Sequence, residues 1–279
     1  MSRWSQGREV SKVAWSVIRE NRYFLTFPLV GFLLALIPIA VLWIPAILSF
    51  AADANVIGFV LLVLGMLGLA VATTYTSAAT VAAADEELAG RDSSVGAGFK
   101  AAFAHSGRLL PWAVVEAVVG LLISLVRGNG EGNIVGVILR SVLAAAASVV
   151  WELITFFALP VIMFENLGPI AAIKRSASLF KERWGAQLAG GVRIGGVIFL
   201  VAMLPALLVI IGGVLLSIVG AAVIGIPLAI IGLLVFVAAN LVASVMREIY
   251  SVALYRYALD GQGHGAFTAE QLSSTVRTK

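Results

Sequence analysis

Residues 194–246 read IGGVIFLVAMLPALLVIIGGVLLSIVGAAVIGIPLAIIGLLVFVAANLVASVM, 53 residues without one Asp, Glu, Lys or Arg. No soluble core helix runs so long. Two bilayer crossings of ~20 residues each fit inside it. Lipid offers the backbone no hydrogen-bond partners, so such a stretch must be helical. The expected fold class is therefore all-α, a polytopic transmembrane helical bundle.

Working outward, apolar runs predict six spans at about 25–50, 56–83, 109–126, 141–164, 194–216 and 226–246. Their loops divide by charge. Segments 1–23, 85–108, 165–184 and 247–279 hold five, three, four and four basic residues, 16 in all. The three alternate loops hold only Arg127, and Arg140 and Arg193 fall in or beside spans. The positive-inside rule then predicts a multi-pass protein of the cytoplasmic membrane with both termini in the cytoplasm. Residues 1–260 read as one six-span domain, and the Gly-, Ser- and Thr-rich stretch 261–279 as a disordered cytoplasmic tail.

Composition agrees: 61% hydrophobic and 12% charged residues lie far outside the soluble range. The absence of Cys excludes disulfides and thiolate chemistry, and two histidines leave almost no room for a His-based metal cage. No cofactor is expected. A net charge of +4 raises nucleic acid as a partner, but the basic residues are scattered over short loops, which fits the membrane reading better. The apolar run 24–50 is 27 residues long, well beyond the ~7–15 of a signal-peptide core, so it is expected to remain as the first span.

Each pair of spans follows a stretch with apolar residues at helical spacing. The first carries Val10, Val13, Ala14 and Val17 and ends at Arg22. The second carries Val95, Phe99, Ala102 and Phe103 and ends at Arg108, with Ser93 as expected cap. The third opens at Pro169, carries Ile170, Ile173, Ala177 and Phe180, and ends at Arg183-Trp184. The expected unit is a cytoplasmic interfacial amphipathic helix followed by a membrane hairpin, three times over. Apolar faces would rest on lipid, and Lys174, Arg175, Lys181 and Arg183 would meet anionic lipid headgroups.

Candidate chemistry begins with charge inside the spans, where burial is costly unless the group is paired or wet. Glu116 lies eight residues past Arg108, ~12 Å in, and Arg193 nine residues past Trp184, ~13 Å in. Matched depths predict a Glu116–Arg193 pair, with Glu152, ~19 Å from Glu165, within reach of the same cluster. Two roles stay open for Glu116, Glu152 and Arg193: an ion pair fixing helix register, or a proton or anion relay. Thr73, Thr74, Tyr75, Thr76, Ser77 and Thr80 line the second span, either bonding back to their own helix or neighbouring helices or facing a polar cavity. Pro38 and Pro205 fall mid-span, where they kink a helix or break it. Gly191-x-x-x-Gly195 and Ala221-x-x-x-Gly225 have the spacing of close helix contacts. No phosphate-binding loop, zinc-protease helix or nucleophile elbow occurs in the chain.

The stretch Trp151-x-x-x-Thr155-Phe-Phe-Ala-Leu-Pro160-Val-Ile-Met-Phe-Glu165-Asn166-x-x-Pro169, then Arg175-Ser176, Phe180-Lys181 and Trp184-Gly185, resembles the signature of a prokaryotic six-helix membrane family of unknown function. The helix-then-hairpin layout is similar, more distantly, to the membrane domain attached to some glycerophosphodiester phosphodiesterases. That resemblance implies topology and supplies no catalytic residue. Within the stretch, Pro160, Glu165-Asn166 and Pro169 predict a sharp turn from the fourth span onto the surface, with Arg175 pairing with Glu165 or a lipid phosphate. The functional expectation is a non-enzymatic bacterial membrane module that engages lipid or a membrane protein partner. The alternative is a small secondary transporter, proton-coupled through Glu116 and Glu152.

Overall fold

The computed structural model describes residues 3–128, 133–184 and 203–274. Every regular element among them is helical: α1 (Arg3–Glu20), a 3-10 turn (Arg22–Leu25), α2 (Thr26–Pro38), a π turn (Ile39–Trp43), α3 (Ile44–Ala51), α4 (Asn55–Leu88), α5 (Val95–Ala104), α6 (Ser106–Arg127), α7 (Ile134–Ile154), α8 (Ala158–Glu165), α9 (Pro169–Trp184), α10 (Leu204–Ile218), α11 (Ala222–Asp260) and α12 (Ala269–Ser274). Five continuous stretches are long and apolar enough to cross a membrane: Arg22–Ala51, Asn55–Leu88, Ser106–Arg127, Val135–Glu165 and Ala222–Asp260. The span expected at 194–216 begins outside the described residues. Its described part, α10, has 15 residues, ~22 Å at 1.5 Å per residue and short of a ~30 Å hydrocarbon layer.

Helices α4 and α11 set the architecture because they outrun a bilayer. Their 34 and 39 residues extend ~51 and ~58 Å. Along α4 only Gly58 and Gly65 are buried before Ala72, whereas eleven residues from Ala72 to Leu88 are buried. On α11 only Gly225 and Gly232 are buried before Val245, and the core then runs from Val245 to Ala258. The first halves instead expose large apolar side chains, among them Val56, Ile57, Phe59, Ile226 and Leu234. Such a surface suits hydrocarbon. The second halves exchange lipid for protein.

That protein cover comes from the amphipathic helices. Ala14, Val17 and Ile18 of α1, Ala102 of α5, and Ala172 and Leu179 of α9 all enter one core with α4 and α11. The buried part of each apolar face therefore packs on the ends of α4 and α11, while Phe103 and Ile170 stay exposed. Ser94, not Ser93, caps α5, its Oγ accepting from the Ala97 N–H at 3.2 Å, while Pro169 opens α9 as its spacing predicts. Residues 261–274, expected as disordered tail, turn back at Gly261 (φ 75°). Phe267 and Leu272 then bury completely in the core, with the Phe267 ring 6.1 Å from Tyr250. Two large apolar groups at the right distance after a glycine cap outweigh the polar composition of that segment.

Small residues let the apolar halves approach. A Cβ on Gly213 would lie 2.5 Å from the Ala229 backbone nitrogen and 2.6 Å from the Gly225 carbonyl oxygen. The α10–α11 contact is thus backbone on backbone, and Gly225 of the Ala221-x-x-x-Gly225 spacing serves it. Gly191-x-x-x-Gly195 lies outside the described residues. On α4, a Cβ on Gly68 would lie 2.7 Å from the Pro38 ring. Pro38 ends α2 without breaking the span. The π turn that follows bonds Ile44 N–H to Ile39 O, absorbing the donor that Pro45 lacks. Pro205 sits in the first turn of α10, where its missing N–H costs nothing.

Gly213→Val is expected to lower the melting temperature of the detergent-solubilised protein, overpacking costing about 1–3 kcal/mol. Gly212→Val, with nothing within 4 Å of its Cβ, should leave the melt unchanged.

Candidate functional site

Three helices bring polar side chains together within the apolar bundle. On α4, Thr73, Thr76 and Thr80 spend their hydroxyls on their own helix, donating to Leu69, Ala72 and Thr76 carbonyls at 3.0, 2.8 and 2.9 Å. Thr74 does not. Its Oγ1 donates to Glu116 Oε2 on α6 at 2.8 Å. One turn along α4, Ser77 faces Glu248 of α11. The buried indole N–H of Trp112 is directed at the Glu116 carboxylate. Trp112 also stacks on Trp151 of α7, centroids 6.1 Å apart and planes 12° from parallel.

This cluster differs from the predicted one. Glu116 is in it. Glu152 instead meets Arg247 of α11 at 3.8 Å, both side chains more than half exposed. Arg193 lies outside the described residues. Arg140 stays near the far end of α6, its Nη1 3.2 Å from where a Cβ of Gly128 would be. Glu248 escaped the sequence reading because the apolar run ends at Met246, which set the expected end of the last span. The available signal was length: the helix period continues unbroken to Asp260.

Nearer the buried ends of α4 and α11, a second polar group ties the core together. Arg256 of α11 donates from Nε and Nη2 to Asp85 Oδ1 and Oδ2 of α4 at 2.7 and 2.6 Å. Its guanidinium carbon lies 5.2 Å from the Phe164 ring centroid. The adjacent Tyr255 hydroxyl donates to Glu165 Oε1 at 3.0 Å, and Arg175 Nε reaches both Glu165 oxygens at 3.1 and 3.2 Å. Arg175 thus meets Glu165, one of the two partners the sequence allowed. At the start of the first span, the Tyr23 hydroxyl donates to Glu87 Oε1 at 2.7 Å. On the surface beyond α4, the Glu86 carboxylate bonds Arg91 and raises that guanidinium above its ordinary value.

The 151–185 stretch builds the joint between these groups. Pro160 has no N–H for the Phe156 carbonyl, so the helix breaks between Ile154 and Ala158. Buried Ser176 of α9 fills the break: its Oγ donates to Ile154 O at 2.6 Å and accepts from Phe157 N–H at 3.1 Å. Asn166, in the left-handed region at φ 52°, ends α8 and turns the chain into α9. Lys174 and Lys181 point outward; the side chain of Arg183 lies outside the described residues.

Among the described residues, no group of three or more His, Asp or Glu is placed to hold a metal. Two open grooves of ≈ 500 Å³ are lined almost wholly by aliphatic side chains, one between α10 and α11 and one between α4 and α6 at Leu67, Val71, Leu110 and Val114. Among the described residues the protein is all-helical, and its long apolar helices are compatible with a membrane and carry Glu116 and Glu248. The chain belongs to a family of unknown function, DUF6159, whose profile matches residues 27–266. No curated protein and no solved structure shows significant similarity to it.

Ser176→Ala is expected to lower stability by about 2 kcal/mol, because it strands a buried carbonyl and a buried N–H. Ser178→Ala, which removes only a bond to its own helix at Arg175 O, should change the thermal midpoint little.

Proposed function

We propose that the chain is a six-span protein of a bacterial cytoplasmic membrane, both termini inside, and a non-enzymatic module that engages anionic lipid headgroups. The carrying observation is the two-sidedness of α9. Ala172, Ser176 and Leu179 are buried on one face, and Arg175 is occupied by Glu165. Ile170, Lys174 and Lys181, at i, i+4 and i+11, are exposed on the other. An apolar residue flanked by free ammonium groups is the pattern an anionic interface attracts. Helix α1 repeats it with Lys12, Trp15 and Arg19 exposed at i, i+3 and i+7. Tryptophan beside cations suits the headgroup layer.

The basic residues concentrate in the loops that the buried helix ends share, which supports the cytoplasmic assignment of that side. The three helix pairs, α2 and α3 with α4, α6 with α7, and α10 with α11, are in contact, as a hairpin arrangement requires.

Native mass spectrometry of the purified protein should find anionic phospholipid retained over zwitterionic. Lys174→Gln with Lys181→Gln should weaken that retention roughly thirtyfold, at about 1 kcal/mol per basic residue near a charged surface. Unchanged retention, or a protein partner lost in place of lipid, would contradict the reading. Reporter tags on both termini are expected to report the cytoplasm; either tag outside the cell membrane defeats the assigned topology.

A further inference from the structure

We propose that the furrow between α4 and α6 is a site for one phospholipid, with an acyl chain along its aliphatic walls and the phosphate on Arg108. The inference rests on the membrane reading above and deepens it, but it uses none of the cations of α1 or α9.

The walls define the chain. Leu67 and Val71 of α4 and Leu110, Pro111 and Val114 of α6 line an opening of ≈ 500 Å³. None of these side chains carries a hydroxyl, an amide or a charge. A bilayer does not drive apolar surfaces together, because lipid tails are as apolar as leucine. A furrow differs from a flat helix face in one respect. A chain lying in it touches wall on two sides and gains dispersion contacts from both. An acyl chain is the slender apolar body that a bilayer supplies at that depth.

The mouth defines the headgroup. Arg108 stands two residues before Leu110 and three before Pro111, at the end of the furrow where α6 begins. Its side chain is exposed. Its Nε donates to the Asn166 carbonyl at 3.4 Å, long for such a bond. That contact uses a single N–H of the guanidinium, whose fork can meet a phosphate with two donors at once. From Arg108 to Val114 is ~9 Å along the helix axis, so a phosphate at the mouth leaves its chain lying directly along the walls. Gly107 keeps the entrance open, since a Cβ there would meet nothing within 4 Å. On the α4 side, Tyr75 stands one turn past Val71 and packs against the exposed Phe103 ring, centroids 5.1 Å apart. These two rings raise an aromatic edge beside the mouth.

The groove between α10 and α11 serves as an internal comparison. It has the same volume and is almost wholly aliphatic, but at Ser217 and Ile218 it runs out onto residues 219–221, which include no Lys or Arg. Both grooves can take a chain. The α4–α6 furrow adds a cation where the headgroup of that chain would sit. One guanidinium reads the phosphodiester, which zwitterionic and anionic phospholipids share. The site therefore selects phosphate and chain, whereas the exposed face of α9 selects net negative charge.

The test is photolabelling of the full-length protein in nanodiscs, using a phospholipid with a diazirine midway along one acyl chain, followed by peptide mapping. Labelling is expected to concentrate on residues 67–71 and 110–114, above residues 210–218 and 226–233, with zwitterionic and anionic headgroups alike. Arg108→Gln should reduce it at least about tenfold, the loss of a charged hydrogen-bond donor. A glycolipid with the same labelled chains and no phosphate should label the wild type as weakly as the phospholipid labels that variant. Equal labelling of the two grooves would overturn the proposal, and so would a glycolipid that labels as well as the phospholipid; neither result needs a variant to fold. Labelling that Arg108→Gln leaves intact, or that Lys174→Gln with Lys181→Gln removes, overturns it too. The two lipid readings fail separately: furrow labelling as expected beside an unchanged anionic preference in the lysine variant upholds this site and sinks the headgroup role of α9.

Discussion

A helix longer than the bilayer is thick must change solvents along its length, and the rest of this molecule follows from that. Helices α4 and α11 begin among exposed Val, Ile, Leu and Phe and end among buried Ala, Tyr and Ile. Hydrocarbon satisfies the first halves at no packing cost. The second halves would stand bare in the interface without cover, so α1, α5, α8, α9 and α12 close over them. Small residues make that closure tight: Ala78, Ala79, Ala83 and Ala84 on α4 are fully buried. Bidentate Asp85–Arg256 then joins the two long helices where apolar contact alone would not fix their register.

Membrane character was legible because it needs only length and the absence of charge. Residues 194–246 carry it without reference to anything else in the chain. Helix ends were not legible for the same reason. Arg247 and Glu248 end an apolar run but not a helix, because a helix entering protein tolerates charge that a helix in lipid does not. The amphipathic pattern of α1, α5 and α9 was readable as helix, but periodicity cannot say whether lipid or protein receives the apolar face. Nor can composition foresee Phe267 and Leu272 docking, since their pocket is made by residues far off in the sequence, Tyr250 among them.

The 151–185 stretch shows how local chemistry and long-range packing divide the work. Pro160 and Pro169 act on their own backbone, and both effects can be predicted from sequence. Ser176 acts nineteen residues away on Phe157. Nothing in a serine flanked by Arg175 and Ala177 announces that role. It exists because the proline break leaves a carbonyl and an N–H that buried backbone must pair somewhere. A stretch combining both kinds of constraint is dense in specific residue types.

The same change of surroundings places the polar contact between α4 and α6. Thr74 and Glu116 meet on the stretch of α4 that runs from exposed Leu64 to fully buried Ala78. Earlier on α4 a carboxylate would stand among exposed apolar side chains with nothing to bond. Further along it would meet closely packed alanines. Asp85 and Arg256 show the other solution, a charge carried into the core together with its own bidentate partner, so that neither group is buried alone.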